Sequence, residues 1–266
     1  MRPLFKKQGV KTMKKIILLS AMTLLLASCS NTTHIKKQHK EQQHKAHWGY
    51  QGEVGPSKWA KLSSKYSACL GKNQSPVNLT GFVETDLKPL IFHYKAGGNE
   101  IINNGHTIQV NYNKGSSFVL DGAQFNLLQF HFHTPSENNI NGKSYPLEGH
   151  LVHSDNKGNL AVVAVMFNEG AENTELAKAW KKMPKHKDDK STFASLLNAN
   201  SILPRNRDYY RFNGSLTTPP CSEGVRWVVM KKPMTVSKAQ IEEFSHVMHH
   251  PNNRPIQATN ARLIMK

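Results

Sequence analysis

Short runs rich in β-branched and aromatic residues recur along the chain, separated by Gly, Asn and Asp. They read LIFHY (90–94), HTIQVNY (106–112), SFVL (117–120), FNLLQFHFH (125–133), HLVH (150–153), LAVVAVMF (160–167) and VRWVVM (225–230). Runs of this kind, bounded by turn residues, predict strands. Helical spacing is rarer. ENTELAKAWKKM (172–183) repeats apolar positions at Leu176, Ala179, Trp180 and Met183, the period of an amphipathic helix. Ser237-Lys238-Ala239-Gln240 has the form of a capping box and predicts a helix running through Phe244 and Val247. Segment 191–197 is expected as another short helix. Most connections are short enough to join antiparallel neighbours. No internal repeat and no second linker interrupt residues 47–266, so they are expected to form one domain. The expected class is α+β and β-dominated, built on a large, mainly antiparallel sheet.

The first residues follow a different pattern. Residues 14–29, KKIILLSAMTLLLASC, place a basic start before a short apolar run and then small residues. That is the order of a secretory signal peptide. The run is shorter than the roughly 20 apolar residues a membrane-spanning helix needs. Met1 and Met13 are both candidate starts. Leu26-Ala27-Ser28-Cys29 resembles a bacterial lipoprotein box, which makes Cys29 a candidate lipid site. The alternative is a plain signal peptide cut near Ala27 or Ser28. Either reading predicts an exported protein, in the periplasm or cell envelope. Residues 30–46 are basic and polar and nearly free of large apolar groups. They cannot offset their ordering entropy by burial, which predicts a flexible tether. His34, His39 and His44 lie in this segment.

Charge and composition narrow the function classes. The formal charge is +17, and +11 remains without the six Lys and Arg of residues 1–29. These charges are scattered and match no nucleic-acid-binding fingerprint. They imply solubility and a general attraction for anions. With 38% hydrophobic residues, the chain can build a core but not a polytopic membrane protein. Outside the signal segment Cys69 and Cys221 remain. An exported protein lets two cysteines pair, and two free buried thiols are the alternative. Nothing in the sequence sets the subunit number, and a homo-oligomer stays open.

Fourteen histidines are an unusual count, and one stretch gives some of them a chemical reading. It runs Gln129-Phe130-His131-Phe132-His133-Thr134-Pro135-Ser136-Glu137. Alternation along a strand puts Gln129, His131 and His133 on one face and both phenylalanines on the other. Two imidazoles at i and i+2 can converge on one ion. On the next run, Glu148, His150 and Val152 share a face, so antiparallel pairing would bring His150 in as a third ligand. Three neutral nitrogens with one open position suit catalytic zinc. Gln129 and Glu148 stand two residues before ligands on the same faces, where they could orient the rings. Two alternatives remain open from spacing alone. The histidines could be ordinary polar residues of a half-exposed strand. Or His-x-His with Glu137 could be the first motif of a cupin holding iron or manganese, although no second cupin motif appears. A further reading, from the His-rich tail, is a non-catalytic envelope protein storing zinc or acting as an adhesin.

From residue 47 onward the chain resembles the α-class carbonic anhydrases. The blocks are His47-Trp48-Gly49-Tyr50, Gly55-Pro56 with Trp59, Asn73-Gln74-Ser75-Pro76-Val77-Asn78, and Asn103-Asn104-Gly105-His106. QFHFHTPSE follows, then Glu148-Gly149-His150-Leu151-Val152-His153 and Gly214-Ser215-Leu216-Thr217-Thr218-Pro219-Pro220-Cys221. The resemblance implies a twisted sheet of about ten strands with short peripheral helices. It implies reversible hydration of carbon dioxide to bicarbonate and a proton, by attack of zinc hydroxide. His131, His133 and His150 would bind Zn2+, with Gln129, Glu148 and the Asn252 carbonyl orienting them. Thr217 and Glu137 would align the nucleophile, and His106 would shuttle protons. Val152, Val162, Leu216, Val225 and Trp227 would form the apolar wall that receives carbon dioxide. Tyr50, Asn104, Gln109 and Thr218 would form the hydrophilic side. Cys69 and Cys221 would pair as a disulfide. His153 would be a hydrogen-bonded core residue. One departure is Asn138, where the family usually has a structural histidine; the change bears on local rigidity rather than on the reaction.

Overall fold

The computed structural model describes residues 46–266. The signal segment, Cys29 and the tether up to residue 45, with its three histidines, lie outside the described residues. The described strands are β1 (Asn78–Leu79), β2 (Ile91–His93), β3 (Gly98–Asn103), β4 (Ile108–Tyr112), β5 (Ser117–Leu120), β6 (Ala123–His133), β7 (Asn139–Ile140), β8 (Leu147–Ser154), β9 (Leu160–Glu169), β10 (Lys190–Leu197), β11 (Tyr209–Ser215), β12 (Glu223–Met230) and β13 (Met234–Val236). The α-helices are α1 (Trp59–Leu62), α2 (Thr174–Trp180) and α3 (Lys238–Met248). Among the described residues, each of the seven runs expected as strands falls in or contains one.

Eleven strands form one sheet in the order β10-β3-β4-β6-β8-β9-β12-β11, with β5 on β6, β2 on β5 and β13 on β9. β12 and β13 run parallel to β9, and the other pairings in this sheet are antiparallel. The sheet is therefore mainly antiparallel. β1 and β7 form a separate parallel pair.

The sheet is covered on both faces. β9 shows this most clearly: Ala161, Val163, Val165 and Phe167 enter one core, and Val162, Ala164 and Met166 enter the other. A strand buried on both sides loses its polar alternation, which is why LAVVAVMF reads as a continuous apolar run. The first core also takes Phe130, Phe132 and Leu151 from β6 and β8, and Leu176, Trp180, Phe244 and Val247 from α2 and α3. At Gly149 of β8 an added Cβ would come within 3.1 Å of the Phe132 ring. A side chain there would force β8 away from this packing, beside the position that carries His150.

Helix ends follow local chemistry. Asn173 caps α2 by accepting from the Leu176 amide at 3.0 Å. The helix stops at Trp180, before Pro184, because the residue preceding a proline disfavours helical geometry. The Ser237–Gln240 capping box opens α3 as its sequence predicts. Segment 191–197 departs from expectation, because it is strand β10 rather than a helix. It pairs with β3, Ser191 opposite Ile101 and Thr192 opposite Glu100. A helix of seven residues is barely stable alone, whereas the outer edge of β3 offers backbone groups that need partners.

Candidate active site

The ligand strands are set by register. β6 and β8 pair antiparallel with His131 directly opposite His150 and His133 opposite Glu148. Gln129, His131 and His133 project to one face because Phe130 and Phe132 are drawn into the core on the other. One imidazole nitrogen from each of His131, His133 and His150 lies within 4.8 Å of the other two.

The outward nitrogens are all committed. His131 Nδ1 meets Gln129 Oε1 at 2.9 Å, His133 Nδ1 meets the Asn252 carbonyl at 2.7 Å, and His150 Nε2 meets Glu148 Oε1 at 2.8 Å. A carbonyl or carboxylate oxygen only accepts, so each of these nitrogens carries the proton. The inward lone pairs are thereby fixed on His131 Nε2, His133 Nε2 and His150 Nδ1. His133 Nε2 is buried with no hydrogen-bond partner. Burial holds all three rings below the usual histidine pKa, and the neighbouring rings add to this at His131 and His150. Three neutral, convergent imidazoles, with the inward nitrogen of His133 left without a partner, are a donor set for a borderline-soft divalent ion, and zinc fits it.

Glu137 stands outside this group. It is 1% exposed. Its Oε1 accepts from the Arg254 amide at 2.9 Å. Its Oε2 lies 3.5 Å from His133 Nε2 and 3.9 Å from His150 Nδ1. Burial pushes its pKa up to about 8, while Thr217 and Arg254 pull it down. Thr217 is itself buried, in the loop between β11 and β12. That loop is tied at its far end by the Cys69–Cys221 disulfide, with Cα atoms 4.9 Å apart.

A cavity of about 130 Å³ is lined by Trp48, Tyr50, Asn104, His106, Thr107, Gln109, Gln129, His131, His133 and Thr218. The four residues expected on the hydrophilic side are all in this lining. The expected apolar set gathers in the second core, with Val152 and Leu216 packed against Val162, Val225 and Trp227. The Trp227 ring stands 5.0 Å from that of His150. His106 stacks on Trp48 with ring centroids 3.7 Å apart. Burial lowers its pKa to about 4, helped by Lys187, His47 and His250 and opposed by Asp188. His153 lies on the reverse side of β8, fully buried and bonded to the Tyr94 hydroxyl.

Three roles were not read from the sequence. Trp48 belongs to a recognised block, but its stacking on His106 is a tertiary contact. Arg254 is 2% exposed, with its guanidinium on Gln74 Oε1 at 2.8 Å, the Ser75 carbonyl at 2.8 Å and the Cys69 carbonyl at 3.1 Å. Its only signal in the sequence is a charge within a Pro-Asn-Asn-Arg-Pro run. At Asn138 the side chain takes up a buried, bonded position that its sequence context did not indicate. The side chain is 0% exposed and bonded at both ends, to the Val77 amide at 3.0 Å and to Glu148 Oε1 at 2.7 Å.

Residues 54–266 match the family model for eukaryotic-type carbonic anhydrase. A carbonic anhydrase of Pectobacterium atrosepticum is 51% identical over 220 residues, covering 82% of this chain and 90% of that protein. The α-carbonic anhydrase of Thermovibrio ammonificans, solved with sulfanilamide, superposes with a TM-score of 0.82 at 49% identity, covering 83% of this chain and 99% of that one. A hyperthermostable carbonic anhydrase from a hydrothermal vent chimney gives 0.81 at 51% identity, covering 82% and 99%. The cupin alternative falls on these matches. Sequence, sheet order and the three converging histidines agree, and the chain belongs to the α-class carbonic anhydrase family.

Proposed function

We propose that this protein catalyses the zinc-dependent, reversible hydration of carbon dioxide to bicarbonate and a proton. The observation that carries the reading is the triad of inward imidazole nitrogens whose outer nitrogens are all engaged. Zinc bound there supplies a Lewis acid that lowers the pKa of coordinated water to about 7, the figure established for carbonic anhydrases.

The remaining work falls to the chain itself. Gln129, Glu148 and the Asn252 carbonyl hold the three rings in the required tautomers. The Thr217 hydroxyl acts on the Glu137 carboxyl. When Glu137 is ionised it only accepts, so Thr217 must donate to it. The lone pairs of Thr217 are then turned to the reacting oxygen, which selects one orientation of that oxygen toward the substrate carbon. Val152, Val162, Leu216, Val225 and Trp227 pack together, with Trp227 against His150, and from that side would offer carbon dioxide an apolar surface suited to a molecule with weak hydrogen-bonding demands. His106 lies on the wall of the same cavity and carries the proton toward solvent. With its pKa near 4 it holds a proton weakly, so it releases to buffer easily and takes up a proton uphill.

Stopped-flow hydration on the purified protein tests the reading. Activity should vanish on chelation, return with one equivalent of zinc, and be lost in His131→Ala. Zinc-loaded protein without hydratase activity would refute it. His106→Ala should be slow in dilute buffer and be rescued by added imidazole. Export rests on the signal pattern of residues 14–29, and lipid attachment rests on Cys29. Cys29→Ser should move the protein from the membrane fraction to the soluble fraction; an unchanged distribution would remove the lipid site.

A further inference from the structure

Given the zinc site argued above, we propose that Asn138 is a positioning residue that sets how firmly His150 holds the metal. The link runs through Glu148, which is 0% exposed. A carboxylate has about four acceptor positions. Here four donors occupy them: the Glu137 amide at 2.7 Å and the Asn138 amide at 2.8 Å on Oε2, and Asn138 Nδ2 at 2.7 Å and His150 Nε2 at 2.8 Å on Oε1. Two of the four come from Asn138. They hold both carboxylate oxygens, and the side-chain amide shares Oε1 with the imidazole.

The Asn138 amide is itself held in one orientation. The Val77 N–H can only donate, so the atom facing it at 3.0 Å must be Oδ1. Nδ2 is then left for Glu148. Val77 directly precedes β1, whose Asn78 and Leu79 pair in parallel with Asn139 and Ile140 of β7. The Asn139 amide donates back to the Val77 carbonyl at 3.2 Å. Orientation therefore passes from the small β1–β7 pair through Asn138 to Glu148 and on to the ligand ring. Asn offers the same donor and acceptor as a neutral histidine at this position, in a shorter side chain. Without the amide, Oε1 keeps His150 as its one donor and the buried Val77 N–H loses its acceptor. Oε2 keeps its two backbone donors, so the carboxylate stays in place but loses the second donor on the oxygen that faces His150, and the ring is held less firmly. Loss of the outer partner itself typically costs about 10–100-fold in metal affinity, and Asn138 stands one bond further out, so the lower end of that range is the expected size.

The experiment measures zinc release into a chromophoric chelator from the zinc-loaded wild type, Asn138→Leu and Asn138→His. Asn138→Leu should release zinc about tenfold faster, and Asn138→His should return the rate to near wild type. The gap between zinc-loaded and zinc-free unfolding midpoints should also narrow in Asn138→Leu. A merely structural role would lower both midpoints together and leave the gap intact. Equal release rates for wild type and Asn138→Leu would overturn the proposal. If Asn138→Leu does not fold, Asn138→Ala removes the donor with a smaller side chain; wild-type release from it would overturn the proposal equally. A wild type that binds no zinc at all would instead refute the zinc reading, a result separable from these.

Discussion

The reverse side of the ligand strand should make this protein sensitive to acid through a single buried histidine. His153 is fully buried, stacked beside Tyr94 and edge-on to Phe118. Burial lowers its pKa from 6.5 to about 3, and the backbone at Ala161 and Leu151 acts weakly the other way. In the unfolded chain His153 takes a proton near 6.5; in the fold it takes none until about 3. Between those values the unfolded state binds more protons, so stability falls as pH falls through the window. One pKa unit is worth about 1.4 kcal/mol, so the loss from about pH 7 to about pH 4 is about 3 kcal/mol from this residue alone. A loss of that size is a large part of a typical stability of about 5–15 kcal/mol. His153→Gln keeps a polar group opposite the Tyr94 hydroxyl and does not titrate. Urea unfolding of both proteins, metal-free, across this pH range gives the comparison. The other histidines titrate in both and cancel if they are independent. The variant should be less stable near neutrality, with an acid limb flatter by about 3 kcal/mol. Parallel curves, with the same difference at every pH, would refute the reasoning.

Other outcomes follow from the same geometry. The Cys69–Cys221 bridge closes a separation of 152 residues, so Cys69→Ser/Cys221→Ser should lose up to about 5 kcal/mol by chain entropy; denaturant midpoints check this. Thr217→Val keeps the volume and removes the hydroxyl, so kcat/KM for hydration should drop about 100-fold or more at unchanged zinc content. Full activity in that variant would remove Thr217 from the mechanism. Lys187 is one of the charges that lower His106, so Lys187→Gln should raise the His106 pKa above about 4 and speed turnover in dilute buffer. NMR titration of the His106 ring reads the first effect directly.

Much of the site was legible along the chain because strand geometry is local. Alternation alone put Gln129, His131 and His133 on one face of β6 and Phe130 and Phe132 on the other, and the capping box at Ser237 opened α3 where it stood. The ordered motif blocks, from His47-Trp48-Gly49-Tyr50 to the Thr217 segment, were sufficient to indicate the family. Segment 191–197 takes its state from β3, which lies about 90 positions away in sequence, so its local pattern does not reveal the strand.

What the sequence by itself determined was which faces are apolar, where the imidazoles project, and which chemistry they could support. Only the tertiary structure decided how those groups are held. His133 is oriented by Asn252 across 119 positions, Arg254 reaches Gln74 across 180, and Asn138 takes Val77 across 61. Local periodicity records whether a residue is buried, but not its distant partner. The pKa of about 8 at Glu137, about 4 at His106 and about 3 at His153 likewise come from burial and neighbours that exist only once the sheet has closed over them.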